Sequence, residues 1–423
     1  MNDSEIFNLI SGEERRQKCG LELIPSENYV SREVLDALGS VLTNKYSEGY
    51  PGRRYYGGQE FTDKIETLAI ERACQLFGAD HANVQSHSGA QANAAVYHSW
   101  LEPGDTILAM DLSHGGHLTH GHPVTILSKT FHFVRYKMAD IETGEFDFAE
   151  IRSLAIKHRP KIVLVGYSAY PRELDYKKFA EIGNEVGALL VADIAHIAGL
   201  IAGKVLHNPL DHGFHVLTST THKTLRGPRG GLILSNGKAG NPLKEPEKVL
   251  ENIPTLIDRT VFPGMQGGPL MNVIAAKAVS FHEALQPNFK EYASRVVLNA
   301  KTLATELMSK GVSLVTNGTD NHLLLVDCIK SFGIDGAEAE MILDKVGLTL
   351  NKNSIPDDTQ PPFRPSGIRL GTPAITTRGA TQKDMVVLAG WLTDALRNPS
   401  DATLHDKINQ QVQAFASELP LIR

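Results

Sequence analysis

The chain has 423 residues, of which 42% are hydrophobic and 21% charged, ordinary values for a globular enzyme of about two domains. Its net charge of −6 gives no electrostatic support for nucleic-acid binding. The sequence shows neither a signal peptide nor an apolar run near the ~20 residues of a membrane helix, and its three cysteines are widely spaced. We therefore expect a cytoplasmic protein without disulfides and without a membrane or nucleic-acid partner.

Strand and helix patterns alternate after an N-terminal arm predicted over residues 1–25. One apolar face predicts a helix over 62–77, closed by Gly78. The following apolar runs predict strands at 106–110, 162–165, 188–192, 216–217 and 231–234, with helices at 148–158 and 176–185. This alternation predicts an α/β fold with a mostly parallel sheet flanked by helices on both faces.

A long helical region over 269–311, broken near Pro287, leads into a smaller α+β pattern. That pattern predicts a strand at 323–326, a helix at 337–345, and helices within 381–397 and 401–417, the first of these two opened by a capping box of Thr381 and Asp384. We place the boundary near residue 285, which gives a large domain over 26–285 and a small C-terminal domain over 286–423.

Residues 44–58, NKYSEGYPGRRYYGG, carry too many polar groups for a core segment and suit contact with another subunit or a ligand. Glu48 within them is a candidate general acid or base if burial raises its pKa. Residues 88–93, SGAQAN, could cradle a phosphate at a helix start, although in isolation the motif is more typical of an ordinary capped helix. Gln266-Gly267-Gly268-Pro269 is a second candidate cradle.

Three histidines stand close together in residues 114–121, HGGHLTHG. They suggest a metal site, but no carboxylate or cysteine is suitably spaced along the chain. Stacking of an imidazole on a flat ring is the favoured interpretation, since no fourth ligand is evident.

Asp193 and Lys223 each follow a predicted strand, where functional groups collect in α/β sheets. Alone, a lysine in a Thr/Gly/Arg loop is usually solvated, and an aspartate after a strand is often a helix cap. Together they match the two groups that pyridoxal phosphate needs, a lysine for a Schiff base and a carboxylate for the pyridinium nitrogen. Arg369, between glycines in 366–373, could clamp an amino-acid carboxylate or be a solvated charge.

In combination these segments resemble the serine hydroxymethyltransferases, which are fold type I pyridoxal-phosphate enzymes. The resemblance rests on segments in the family's order, namely SENYVS (26–31), NKYSEGYPGRRYYGG (44–58), HSGAQAN (87–93), HGGHLTHG (114–121), ADIAH (192–196), TTHKTLRGPRGG (220–231), VFPGMQGGPL (261–270) and SGIRLGTPAITTRG (366–379). It implies a large domain with a mostly parallel seven-stranded sheet and a smaller α+β domain. It also implies a homodimer that shares its active sites, with tetrahydrofolate as co-substrate.

The resemblance further implies a role for each matching residue. The cofactor would be held by Lys223 through the imine, Asp193 at the ring nitrogen, His117 on the ring face, Ser168 and His196 near the phenolic oxygen, and Ser88, Gly89, Ala90 and His222 at the phosphate, with Gly268 from the partner chain. The substrate would be held by Arg369 and Ser26, with Tyr46, Glu48 and Tyr56 from the partner chain, and Leu112, Gly116, Leu118 and Asn353 would border the folate. Lys223, Glu48, Tyr56 and His117 would be catalytic.

The implied reaction is reversible transfer of the serine hydroxymethyl carbon to tetrahydrofolate, giving glycine and 5,10-methylenetetrahydrofolate. A threonine or 3-hydroxy amino acid aldolase and an α-methylserine hydroxymethyltransferase share the cofactor residues and remain alternatives, as does a silent relative that binds RNA. The chain departs from the family's common pattern at Ser86, Ala90, Met265 and Asn272. These departures bear on the subunit contact near the phosphate and leave Lys223 unaffected.

Overall fold

The computed structural model describes residues 3–421 and divides into two compact units. The first unit takes the chain up to Tyr29, the short segment Ile141–Gly144, and the chain from Ser294 onward. The second comprises Val30–Asp140 and Glu145–Ala293. Within residues 3–421, no helix combines the length and the apolar character that crossing a bilayer requires.

The secondary structure alternates strands with helices through most of the second unit. The helices are α1 (Ser4–Cys19), α2 (Arg32–Leu38), α3 (Glu60–Phe77), α4 (Gly89–Trp100), α5 (Leu127–Thr130), α6 (Phe148–His158), α7 (Tyr176–Val186), α8 (Ala198–Ala202), α9 (Ile253–Arg259), α10 (Met271–Ala284), α11 (Pro287–Ser309), α12 (Cys328–Phe332), α13 (Gly336–Lys345), α14 (Pro373–Thr377), α15 (Gln382–Arg397) and α16 (Ala402–Glu418). The strands are β1 (Leu21–Glu22), β2 (Gly49–Tyr50), β3 (Arg53–Arg54), β4 (His81–Asn83), β5 (Thr106–Met110), β6 (His132–Tyr136), β7 (Ile162–Gly166), β8 (Leu189–Asp193), β9 (Val216–Thr220), β10 (Gly231–Ser235), β11 (Leu323–Asp327), β12 (Leu348–Thr349), β13 (Asn351–Asn353) and β14 (Gly367–Gly371).

Local chemistry sets several of these boundaries. Asp147 caps α6 by accepting hydrogen bonds from the backbone N–H groups of Ala149 and Glu150 at 2.8 and 3.1 Å. Gly78 ends α3 with a left-handed φ of 69°, a conformation that glycine adopts without steric cost. The predicted capping box of α15 is confirmed, because the Asp384 carboxylate accepts from the Thr381 backbone N–H at 2.7 Å.

The second unit is built on a seven-stranded sheet in the order β4-β10-β9-β8-β7-β5-β6. Only β10 runs antiparallel to its neighbours in this sheet, which confirms the prediction of a mostly parallel sheet. On one face, α4 and α9 join the sheet in a buried apolar cluster. On the other face, α7 packs so closely that a Cβ on Gly183 would lie 2.3 Å from Leu190. Helices therefore cover both faces of the sheet, as expected for α/β folds.

The carboxyl ends of the parallel strands lie at one edge of this sheet. Gly166 at the end of β7 is paired with Asp193 at the end of β8, and Asp193 is paired with Thr218 near the end of β9. A Cβ on Gly166 would lie 2.1 Å from the Asp193 carbonyl oxygen, so only glycine fits there. This edge is where the sequence predicts the functional residues.

The first unit contains a three-stranded antiparallel sheet, β11-β14-β13, and the parallel pair β1 and β12. Its apolar core joins strand residues such as Leu324 and Leu370 to buried residues of α11, α13, α15 and α16. The buried Arg378 donates hydrogen bonds to the carbonyls of Gly20 at 2.8 Å and Ala416 at 2.6 Å, tying the ends of α1 and α16 together.

The sequence placed a boundary near residue 285 and set residues 1–25 apart as an arm. In the structure Ala293 is the last residue of the second unit, and α1 belongs to the first unit together with the C-terminal region. The predicted helix over 148–158 matches α6, and the break near Pro287 separates α10 from α11. The elements that the sequence did not predict include α1, α2, β4 and β6.

Candidate active site

Asp193 is a buried carboxylate at the end of β8, only 7% exposed. Its Oδ2 accepts hydrogen bonds from Asn93 Nδ2 at 2.9 Å and from His120 Nε2 at 3.1 Å, and its Oδ1 accepts from the Ala195 backbone N–H at 3.0 Å. Burial alone would raise the pKa of Asp193, but the His120 and Asn93 hydrogen bonds and the nearby imidazoles outweigh it and hold the pKa well below its usual range. The carboxylate is therefore ionised and rigidly oriented.

His117 is joined to the same network. Its Nδ1 lies 2.7 Å from Thr119 Oγ1 and accepts from the Thr119 backbone N–H at 3.2 Å. Thr119 Oγ1 in turn accepts from Asn93 Nδ2 at 2.8 Å, so Asn93 links His117 to Asp193. The His117 ring therefore has a fixed orientation close to the ionised Asp193 carboxylate.

The three ligand atoms that His117, His120 and Asp193 could offer a metal ion lie within 4.8 Å of one another. The sequence offers no carboxylate at a suitable spacing along the chain, and on that basis we expected none beside these histidines. That expectation is wrong, because Asp193, 73 residues beyond His120, lies next to them in the fold. His120 Nε2 is bonded to Asp193 and His117 Nδ1 to Thr119, so these groups satisfy one another. This arrangement suits orientation of a carboxylate better than metal ligation.

Lys223 lies in the loop that joins β9 to β10. The loop is held at its base by Gly227, whose N–H donates to the Thr221 carbonyl at 2.6 Å. Thr224 Oγ1 donates to the His196 carbonyl at 2.9 Å and accepts from the Gly199 N–H at 3.0 Å. These contacts fasten the lysine loop to the segment that follows Asp193, so the two predicted cofactor groups share one edge of the sheet.

His222 is the neighbour of Lys223 and carries a buried Nδ1 with no hydrogen-bond partner among the described residues. Burial, with the positive charges of Arg229, Lys223 and Lys277, lowers the pKa of His222 to about 3. The imidazole is therefore neutral near pH 7 and has an unused buried nitrogen. A buried polar atom without a partner is unusual in a folded protein and marks a place for a ligand atom.

Ser88 caps α4 by accepting a hydrogen bond from the Gln91 backbone N–H at 3.2 Å. The helix start presses on β9, since a Cβ on Gly89 would lie 2.8 Å from Thr220 Cγ2. Ala90 is exposed in the first turn. The structure thus places a helix N-terminus beside the strand that leads into His222 and Lys223, an arrangement suited to a phosphate.

The loops after β5 and β7 meet at the same edge. Gly115, with a φ of 112°, accepts hydrogen bonds at its carbonyl from the backbone N–H groups of Ser168 at 2.7 Å and Ala169 at 3.1 Å. A Cβ on Gly116 would lie 2.3 Å from the Met110 carbonyl oxygen. Leu112 and Leu118 on this loop are 39% and 46% exposed, so the loop presents apolar side chains to solvent.

A separate group of predicted residues forms around Glu48. The Tyr46 hydroxyl donates to Glu48 Oε1 at 3.4 Å, and the rings of Tyr46 and Tyr56 are 5.2 Å apart. The negative charge of Glu48 raises the pKa of Tyr56. In the same chain, a Cβ on Gly268 would lie 3.1 Å from the Tyr46 ring. The tyrosines are about half exposed, at 55% and 48%.

The backbone on both sides of Glu48 is fixed by Arg54. Its Nη1 donates to the carbonyls of Ser47 and Gly49, both at 2.8 Å. Arg54 itself is paired with the buried Glu66 at 2.5 Å and with Asp63 at 2.8 Å. Sequence reasoning assigned no function to this ion-pair network, which orients the segment that carries Glu48.

Arg369, Ser26 and Asn353 belong to the first unit. Arg369 is a half-buried residue on β14 whose Nε donates to Asn351 Oδ1 at 3.3 Å, and burial lowers its pKa to about 10. Asn353 on β13 pairs with Gly367 of β14. Ser26 directly follows the Leu23–Pro25 segment. That segment lies against β14, since the Gly371 N–H donates to the Leu23 carbonyl at 2.7 Å.

Asn93 and Arg54 are among the side chains that the sequence did not single out, and His120 was considered only as one of three clustered histidines. Asn93 stands inside the recognised SGAQAN segment, but its partners Thr119 and Asp193 lie 26 and 100 residues away in the chain. The position of Asn93 in its helix could have identified it as functional, because an asparagine on the sheet-facing side of a buried helix requires hydrogen-bond partners.

The residues of the second unit fit pyridoxal phosphate. An ionised aspartate, an imidazole with a fixed ring, a helix N-terminus and an unpartnered buried histidine nitrogen surround the edge that carries the lysine loop. The fold is that of an α/β enzyme, and the groups at this edge have the chemistry that an anionic ring cofactor requires.

Comparison with known proteins identifies the family. The serine hydroxymethyltransferase family profile matches residues 1–392. A serine hydroxymethyltransferase of Koribacter versatilis is 50% identical over 419 residues, covering 99% of this chain and 94% of the relative. Serine hydroxymethyltransferase 1 of Pseudomonas aeruginosa is 51% identical over 421 residues, covering 100% of this chain and 97% of the relative. The chain belongs to the serine hydroxymethyltransferase family, so it is a fold type I enzyme and a transferase, as the sequence resemblance implied.

Proposed function

We propose that this chain catalyses the reversible transfer of the hydroxymethyl carbon of serine to tetrahydrofolate, giving glycine and 5,10-methylenetetrahydrofolate, with pyridoxal phosphate bound to Lys223. The observation that carries the proposal is the ionised, buried Asp193 on the sheet edge to which the Lys223 loop is fastened. When bound, pyridoxal phosphate supplies an aldehyde for amines and a ring that accepts electron density from the amino acid's Cα.

The cofactor contacts follow from the chemistry of each side chain. Asp193 stabilises a proton on the ring nitrogen, because its pKa is held low and its own donors fix its direction. The fixed His117 ring suits stacking, and Ser168 and His196 are assigned to the phenolic oxygen by the family resemblance. We assign the phosphate to Ser88, Gly89, Ala90 and His222, supported by the helix start and the unused Nδ1.

Arg369 binds the substrate carboxylate with help from Ser26. Burial lowers the pKa of the Arg369 guanidinium, and a bound carboxylate would offset that cost through charge-assisted hydrogen bonds. Its planar, forked donors match a carboxylate in a way that a lysine cannot.

Glu48 moves a proton at the serine hydroxymethyl group, and Tyr46 and Tyr56 order that carboxylate. We propose that these residues, together with Gly268, act in the site of a partner chain within a homodimer. The half-exposed tyrosines and the exposed Phe61, at 68%, support a subunit contact along this segment, since monomers rarely leave such aromatic clusters open.

Leu112, Gly116, Leu118 and Asn353 border the folate. The exposed leucines on the loop after β5 support this assignment, because the pterin and aminobenzoyl rings of tetrahydrofolate need apolar surfaces.

The remaining pyridoxal-phosphate alternatives, a 3-hydroxy amino acid aldolase and an α-methylserine hydroxymethyltransferase, differ from the proposed reaction in substrate and in dependence on folate.

Borohydride reduction of the purified enzyme with pyridoxal phosphate tests the cofactor assignment. We expect a fixed, fluorescent peptide that contains Lys223, and no label or turnover in Lys223→Ala. Serine cleavage is then assayed with and without tetrahydrofolate. Label on another lysine would refute the assignment, and serine cleavage at full rate without folate would favour the aldolase.

A further inference from the structure

Lys277 on α10 is a buried lysine, only 1% exposed, that forms no ion pair with a carboxylate in residues 3–421. Its Nζ donates to three backbone carbonyls, those of Val84 at 2.6 Å, Gly231 at 2.7 Å and Ser86 at 3.3 Å. Burial lowers the pKa of Lys277 to about 7, a shift that the Glu66 carboxylate opposes only in part. Since a buried ammonium is costly, apolar packing does not explain a lysine here.

The three carbonyls belong to two segments that matter for the proposed site. Val84 and Ser86 lead from β4 into the helix start at Ser88, whereas Gly231 begins β10, directly after the Lys223 loop. The two segments already touch, because the Gly231 N–H donates to the Ser86 carbonyl at 2.9 Å and a Cβ on Gly231 would lie 2.5 Å from the Ser88 carbonyl oxygen. Lys277 therefore joins them at the phosphate cradle.

Two further observations point the same way. A Cβ on Gly230 would lie 2.6 Å from Lys277 Cε and 3.0 Å from its Nζ, so glycine at this position leaves room for the ammonium. Burial and then the charge of Lys277 lower the pKa of His87, and the same charge contributes to the low pKa of His222. The charge of Lys277 therefore lowers the pKa of two histidines, one on each of the two segments that it joins.

We propose that Lys277 is a positioning residue for the cofactor phosphate. Its ammonium joins the segment that enters Ser88 to the strand that follows the Lys223 loop, and so fixes the position of the phosphate cradle relative to Lys223. It acts through the Ser86 and Gly231 backbone. The proposal rests on the proposed function, because it assumes that pyridoxal phosphate binds at Lys223.

The test compares pyridoxal phosphate with pyridoxal, which has the same aldehyde and ring but no phosphate. Lys277→Met keeps an unbranched side chain that is one atom shorter, and removes the donors of Lys277. We expect the dissociation constant for pyridoxal phosphate to rise about tenfold or more, the loss expected from hydrogen bonds of a charged donor, and that for pyridoxal to change less than about twofold. Gly230→Ala, which crowds the ammonium, should shift the ratio of the two constants in the same direction.

Phe281→Leu is the matched control, since this buried residue lies on the same helix and packs without a polar contact. It should lower the melting temperature and leave the ratio unchanged. Equal weakening of both compounds, or an unchanged ratio, in folded Lys277→Met overturns the proposal. If that variant does not fold, the ratio in Gly230→Ala decides. A wild-type enzyme without label on Lys223 would instead refute the proposed function and this inference with it.

Discussion

Replacement of Asn93 by leucine tests the buried network that orients Asp193. The change removes donations to Asp193 Oδ2 at 2.9 Å and Thr119 Oγ1 at 2.8 Å, and it leaves the Thr218 hydroxyl without its acceptor at 2.5 Å. A hydrogen bond to a charged group contributes about 1.5–3 kcal/mol and a neutral one about 0.5–1.5 kcal/mol. Because leucine recovers some apolar burial, we expect the free energy of unfolding to fall by about 2–4 kcal/mol.

Urea unfolding with and without pyridoxal phosphate measures both consequences. A ligand that binds only the folded state stabilises it according to its concentration and affinity, so a misoriented Asp193 should reduce the stabilisation by the cofactor. Ser99→Ala is the control, because Ser99 is buried on the same helix but donates only to the Val96 carbonyl. A loss below about 0.5 kcal/mol in Asn93→Leu, or an unchanged stabilisation by cofactor, would refute the reasoning.

Three further changes test the proposed roles. Glu48→Gln should bind serine normally yet lose most folate-dependent turnover, measured as methylenetetrahydrofolate formed; unchanged turnover removes Glu48 from proton transfer. Arg369→Lys should raise the KM for serine about tenfold or more with unchanged pyridoxal phosphate affinity, because the forked carboxylate contact is lost; an unchanged KM contradicts the clamp. Burial lowers the pKa of His222 to about 3 in the folded apoenzyme, whereas its pKa in the unfolded chain is about 6.5. As the pH falls below about 6.5, the unfolded state binds a proton at His222 and the folded state does not, so the free energy of unfolding decreases. Urea unfolding of wild-type apoenzyme between about pH 6 and pH 4 should therefore show a steeper loss, by up to about 1.4 kcal/mol per pH unit, than His222→Asn, and parallel slopes would contradict it.

Local patterns were enough to predict the sheet and its functional edge. Short apolar runs marked β5, β7, β8, β9 and β10, since strands buried on both faces are continuously apolar. Polar residues that follow such runs must lie at the carboxyl edge, which is why the sequence alone predicts that Asp193 and Lys223 share one site. The cluster of Tyr46, Glu48 and Tyr56 could also be predicted from the sequence, because its members are neighbours in the chain.

Contacts between distant segments could not be predicted in this way. The hydrogen bonds of Asp193 with Asn93 and His120 span 100 and 73 residues, and no periodicity in one segment encodes its partner in another. The strands β4 and β6 were missed because His81–Asn83 is very short and β6 alternates exposed with buried residues at the sheet's edge. The helix α1 was not predicted as a helix, although Ile6, Leu9 and Ile10 have helical spacing; these apolar side chains are exposed, and no residue of α1 is buried.

The reversed strand β10 places the Lys223 loop at the same edge of the sheet as Asp193. A parallel strand after β9 would require a long crossover, whereas an antiparallel one needs only the short loop that carries Lys223. Because β10 then pairs with β4, its first residue, Gly231, lies beside the segment that enters Ser88. The end of β8 with Asp193, the lysine loop and the proposed phosphate cradle are thereby placed along one edge, and Lys277 lies at the junction of the last two. In this chain the position of Gly231 beside the segment that enters Ser88 therefore follows from the direction of one strand, a property that the order of motifs in the sequence does not reveal.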